Sequence, residues 1–178
     1  MKLKLLVLLF IGILATPLMA TGVEVVITIQ QPSVSIIGAT SFPVSIAPNS
    51  EIILASPVQV QNNGNVTENL TISGTLPNGW LFTNTSPTGS GGKLRVETIW
   101  HSATVPIASE FQSNDSLTTS AQTSSSSVFF DDSDTTSQAT NGGTAVPVSG
   151  TRNLFVKVET GSSFGSPTLT LNINAVAP

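Results

Sequence analysis

The chain has 178 residues, with six Lys and Arg against ten Asp and Glu, one histidine and no cysteine. This excludes a disulfide scaffold, a thiolate zinc site and a cysteine-linked lipid anchor, and the cations form no basic run that would hold nucleic acid or an anionic membrane. Only 9% of residues are charged, so Ser, Thr, Asn and Gly solvate the surface, a composition suited to close packing against neighbours.

Lys2 and Lys4 precede the apolar run Leu5 to Leu14 and a stretch closing on Pro17, Leu18, Met19 and Ala20. This is the layout of a secretory signal peptide, with cleavage expected after Ala20. Helix from Leu5 to Ala20, at about 1.5 Å per residue, reaches about 24 Å, short of the roughly 30 Å of a bilayer core. The expectation is a secreted, extracellular or surface-held protein of residues 21–178 whose one membrane contact is the signal peptide before cleavage. That length fits one domain.

Beyond Ala20 the pattern alternates with period two, as in half-buried strands. Val23, Val25, Ile27 and Ile29 form the first such face. Shorter strands are predicted at Val34 to Ile37, Ile52 to Ala55, Val58 to Gln61 and Asn69 to Leu76, separated by turns at Pro48 to Ser50, Asn62 to Asn65 and Pro77 to Gly79. Leu94, Val96, Thr98 and Trp100 form another face, and Leu154, Val156 and Val158 a further one, with Lys157 and Glu159 on its outer side. In the last strand Leu169, Leu171, Ile173 and Ala175 oppose Thr168, Thr170, Asn172 and Asn174. About eight to ten short strands at this spacing predict an all-β fold, an immunoglobulin-like or jelly-roll two-sheet β-sandwich, with a barrel as the alternative.

From about 101 to 150 the alternation gives way to Ser, Thr, Gln and Gly, interrupted by Phe111 and by Val128, Phe129 and Phe130. Such a length exceeds an ordinary loop of about 4 to 6 residues. The expectation is an ordered excursion from the sandwich, pinned by Phe111, Phe129 and Phe130; a mobile Ser-rich tract is the other reading.

Residues 58–76 read VQVQNNGNVTENLTISGTL and are followed by PNGW; further on stand GTRNLFVKVET and PTLTLNINAVA. The first segment resembles the strand-turn-strand of extracellular immunoglobulin-like β-sandwich domains with an N-x-G-N-v-T-E turn, and the later ones resemble the closing strands of small exported bacterial proteins of uncharacterised function. More loosely, the signal peptide, the absence of cysteine and the N-x-G turn are similar to TasA-like and archaeal matrix filament subunits. That resemblance implies a jelly-roll sandwich assembling by insertion of a strand of one subunit into the next, a strand that the segment Val23 to Ile37 could supply.

Gly161, Ser163 and Gly165 match G-x-S-x-G, but no Asp, Glu or His follows Ser163, so the nucleophile-elbow reading fails and a turn is expected. His101 is the single histidine, which excludes a histidine metal cluster and reads as a strand-end side chain. Asp131, Asp132 and Asp134, with Asp115 and Glu110 upstream, form the one carboxylate cluster. A calcium ion, which takes six to eight oxygens, is the one cofactor it could hold, although the spacing departs from the helix-loop-helix calcium pattern. Trp80, beside the Asn78–Gly79 turn, is the better candidate for stacking on a sugar, since Trp100 is in register with core positions. Asn65, Asn69, Asn84 and Asn114 each begin an N-x-[ST] triplet.

With no nucleophile set beside a base, the expectation is a non-catalytic structural or adhesive surface or matrix protein. Its partners would be further copies of itself or other surface proteins, with strand complementation through Val23, Val25, Ile27 and Ile29. The alternative is a soluble extracellular carbohydrate-binding or accessory module whose partner is a polysaccharide.

Overall fold

The computed structural model describes residues 23–30, 34–89, 91–102, 104–130, 141–162 and 165–178, and leaves the side chains of 23, 24 and 28–30 undescribed. The candidate signal peptide and Asp131, Asp132 and Asp134 lie outside the described residues.

The chain forms β1 (Val23–Gln30), β2 (Val34–Ile37), β3 (Ser41–Ile46), β4 (Glu51–Ile53), β5 (Val58–Asn62), β6 (Asn69–Thr75), β7 (Trp80–Phe82), β8 (Gly92–His101), β9 (Gln122–Thr123), β10 (Thr151–Thr160) and β11 (Thr168–Val176). One sheet runs β3-β1-β11-β6-β9; the other runs β2-β5-β10-β8-β7, with β4 paired to the second half of β10. Most pairs are antiparallel, but β1 with β11 and β7 with β8 are parallel. The fold is an all-β two-sheet sandwich.

The alternating apolar positions meet between the sheets. Leu94, Val96, Thr98 and Trp100 of β8 stand opposite Thr160, Val158, Val156 and Leu154 of β10 and are fully buried. From the facing sheet come Leu169, Leu171 and Ile173 of β11, Leu70 and Ile72 of β6, and Val25 and Ile27 of β1, also at 0% exposure. Each such side chain removed from water contributes on the order of 1.5–3 kcal/mol.

The other face of the β8–β10 pair departs from expectation. Lys157, placed by alternation on the outer side of β10, is buried at 5% exposure. The cause is the excursion after β8, whose 3-10 turns Ala108–Glu110 and Ser113–Asp115 cross that face and lay Phe111 over it, with Ile99 and Phe155 beneath as a second small core. The excursion then returns to the main core. Leu117 donates its backbone N–H to Val96 O and packs on Gly74, where a Cβ would collide with its side chain. β9 pairs with the edge of β6, Ser124 bonds Leu70, and Phe129 is wholly buried. The described parts of the excursion thus close the side of the sandwich between β6 and β8.

Candidate functional site

Among the positions singled out by sequence, β1 is placed most informatively. It is an interior strand bonded on both edges, parallel to β11 from Val26 opposite Thr168 to Gln30 opposite Asn172, and antiparallel to β3 from Val23 opposite Ile46 to Thr28 opposite Ser41. Val25 and Ile27 drive into the core between these neighbours. Parallel pairing of β1 with β11 needs no tight hairpin between them, and the next described strand in the chain, β2, lies in the opposite sheet. The chain's first strand therefore fills a slot whose other walls come from elsewhere in the sequence.

Trp80 opens β7 at the edge of the second sheet and is half-buried. Gly92 and Gly165 lie against its indole; a Cβ on Gly165 would sit 2.9 Å from the ring. Part of the ring is thus bedded on backbone. Beyond it, Phe82, Thr83, Asn84, Leu117 and Thr118 line an open recess of about 290 Å³. Its hydroxyls bond locally, Thr83 to Thr85 O and Thr118 to Ser120 O.

His101, Glu110 and Asp115 are engaged with the protein itself. His101 Nδ1 lies 3.0 Å from Thr104 O, and its ring meets Phe155 edge-on at 6.1 Å. Glu110 accepts the Ile107 N–H at 2.7 Å, and buried Asp115 accepts the Gln112 and Phe130 N–H groups at 2.8 and 3.2 Å. These two carboxylates fasten the excursion, and among the described residues no group of three or more His, Cys, Asp or Glu is placed to hold a metal ion. Gly161 and Gly165 of the G-x-S-x-G match belong to the β10–β11 connection, Gly161 accepting from Asn49 N–H at 3.0 Å; Ser163 lies outside the described residues.

Three polar constellations escaped the sequence reading. On the covered face of β8 and β10, Glu97 stands opposite Lys157 and Arg95 opposite Glu159. Glu97 is fully buried, paired to Arg95 through Oε1 and to Lys157 Nζ at 2.5 Å through Oε2, while Arg95 also reaches Glu159 at 3.5 Å. The Lys157 ammonium lies 5.2 Å from the centre of the Phe111 ring, a cation–π contact. Charges alternating with period two on the two longest strands were the available signal.

The second is Asn62, wholly buried, which donates to Val66 O and Val146 O at 2.9 and 3.0 Å and accepts the Gly64 N–H at 2.7 Å. It knots the N-x-G-N-V-T-E turn to the loop before β10. The third is Arg152, whose Nε donates to Gly142 O at 2.7 Å. Desolvation by burial lowers its pKa from the usual value, because the charged form loses water.

No helix among the described residues is long and apolar enough to cross a membrane. No protein-family model matches the chain, and none of the curated proteins searched matches it.

Proposed function

We propose that this chain is an exported, non-catalytic structural or adhesive protein of the cell surface or matrix, assembling by exchange of β1 between copies. The observation that carries this reading is the position of β1. With the signal segment removed it is the first element of the mature chain, yet its Val25 and Ile27 complete the core of a sheet whose neighbouring strands β3 and β11 follow later. A strand so placed gives the same main-chain bonds and the same apolar contacts to a second copy as to its own. The engagement of His101, Glu97, Glu110 and Asp115 in structural contacts agrees with a role without turnover.

Sedimentation and electron microscopy of the mature protein test this, beside a variant lacking Thr21 to Gln30 and the same variant supplied with that segment as a peptide. Concentration-dependent oligomers or filaments are expected from the mature protein. The shortened variant should not assemble, and the peptide should restore its protease resistance. A mature protein that stays monomeric and binds polysaccharide through Trp80 would overturn the reading, as would assembly that survives loss of β1.

A further inference from the structure

We propose that Asn65 and Asn84 are carbohydrate-acceptor asparagines and that the fold withholds Asn69 and Asn114, which begin the same three-residue pattern. The donor is an oligosaccharide on a polyprenyl pyrophosphate. The Asn Nδ2 bonds to the anomeric carbon of the first sugar, the anomeric C–O bond to phosphate breaks, the lipid pyrophosphate leaves, and the amide proton passes to a base of the transferring enzyme. That enzyme must take hold of the triplet backbone and read the hydroxyl at its third position, so all three residues must be presented together at the surface.

The structure divides the four triplets cleanly. Asn65, Val66 and Thr67 are all exposed, Val66 at 51%, in the turn between β5 and β6. Asn84, Thr85 and Ser86 are all exposed in the loop that leaves β7. Asn69, by contrast, begins β6 opposite Val176 and accepts the Ala145 N–H through Oδ1 at 2.8 Å. Leu70 behind it is fully buried, and the hydroxyl-bearing Thr71 is 6% exposed between strands on both sides. Asn114 is exposed, but its Nδ2 donates to Ser127 O; Asp115 is fully buried and Ser116 is 5% exposed, its backbone bridged to Glu97. An enzyme reaching either of these two hydroxyls would have to pull a strand or a capped turn out of the fold.

This inference rests on the proposed export, since such transfer occurs beyond the membrane, but its test does not need secretion. Purified folded protein is incubated with a single-subunit oligosaccharyltransferase that recognises the bare triplet and with a lipid-linked oligosaccharide, and the products are mapped by peptide mass spectrometry. Four peptides, each spanning one triplet, are treated in parallel. All four peptides should accept sugar, whereas the folded protein should gain two oligosaccharides, one each at Asn65 and Asn84. Thr67→Ala should remove the first increment alone. Modification of folded protein at Asn69 or Asn114, or at neither Asn65 nor Asn84, overturns the proposal. Refusal of the Asn69 and Asn114 peptides would show that sequence rather than fold withholds them, and would overturn it equally.

Discussion

Glu97 is the residue whose environment departs furthest from that of an ordinary strand carboxylate. Its exposure is 0%, and Arg95 and Lys157 supply its countercharges. Removing one partner of a buried pair leaves a stranded charge and costs about 3–5 kcal/mol, whereas replacing a buried pair by apolar groups of similar size is often neutral or stabilising. Glu97→Ala should therefore lower the melting temperature by roughly 10 °C, at about 2–4 °C per kcal/mol for a chain of this size. The double variant Glu97→Leu with Lys157→Met should melt well above Glu97→Ala, since Phe111 then lies over an apolar face. Thermal unfolding by circular dichroism decides; equal losses in both would mean that the ion pairs themselves hold the excursion in place. None of this was legible at the residue scale, because alternation assigns Lys157 an outer face and says nothing of a later segment folding over it. The same limit applies to Asn62, whose turn was recognised from composition but whose reach to Val146 spans 84 positions of sequence.

At the scale of elements, β11 holds its sheet together, pairing β1 on one side and β6 on the other. Leu171, opposite Ile29 and Gly74, points into the core at 0% exposure. Leu171→Asp would bury an unpaired carboxylate there, a cost of several kcal/mol set against a domain stability of about 5–15 kcal/mol. Such a variant should not accumulate as folded protein, and a soluble, protease-resistant Leu171→Asp would show the register to be wrong. Long strands with clear alternation, β8, β10 and β11, were readable from the sequence because the inward face of each is lined mainly by apolar side chains. β3 and β7 were not. Pro43 interrupts β3, a residue tolerated in sheets chiefly at edges, and β3 is indeed an outermost strand. β7 has only Trp80, Leu81 and Phe82, too few for a period to register, and pairs parallel to β8 through a connection no local signal announces. Phe111 and Phe129 were legible as anchors of the excursion, but the two cores they join were not.

At the scale of the whole molecule, the proposed exchange of β1 between copies would replace contacts within the chain by identical contacts between chains. The two forms then differ little in contact energy, and concentration decides between them. The barrier is different in kind, since β1 must leave both β3 and β11 and expose Val25 and Ile27 before a second copy can receive it. Such an opening is a partial unfolding, reached at less than the global cost. Assembly should therefore be slow, accelerate in mild denaturant and become independent of protein concentration once opening limits the rate. Addition of intact copies along the exposed edge of β3 predicts the opposite, a rate that rises with concentration throughout; Pro43, which has no N–H to offer, makes that edge a poor template. A covalent lock separates the two routes, and the chain has no cysteine to interfere. Thr28 and Thr170 are register partners on β1 and β11, and neighbouring strands about 4.8 Å apart fall within the Cα separation of about 4.4–6.8 Å that a disulfide spans. Thr28→Cys with Thr170→Cys should stay monomeric when oxidised and assemble when reduced, followed by light scattering at matched concentration. Equal assembly in both states would place the contact on an outer edge and end the case for strand exchange.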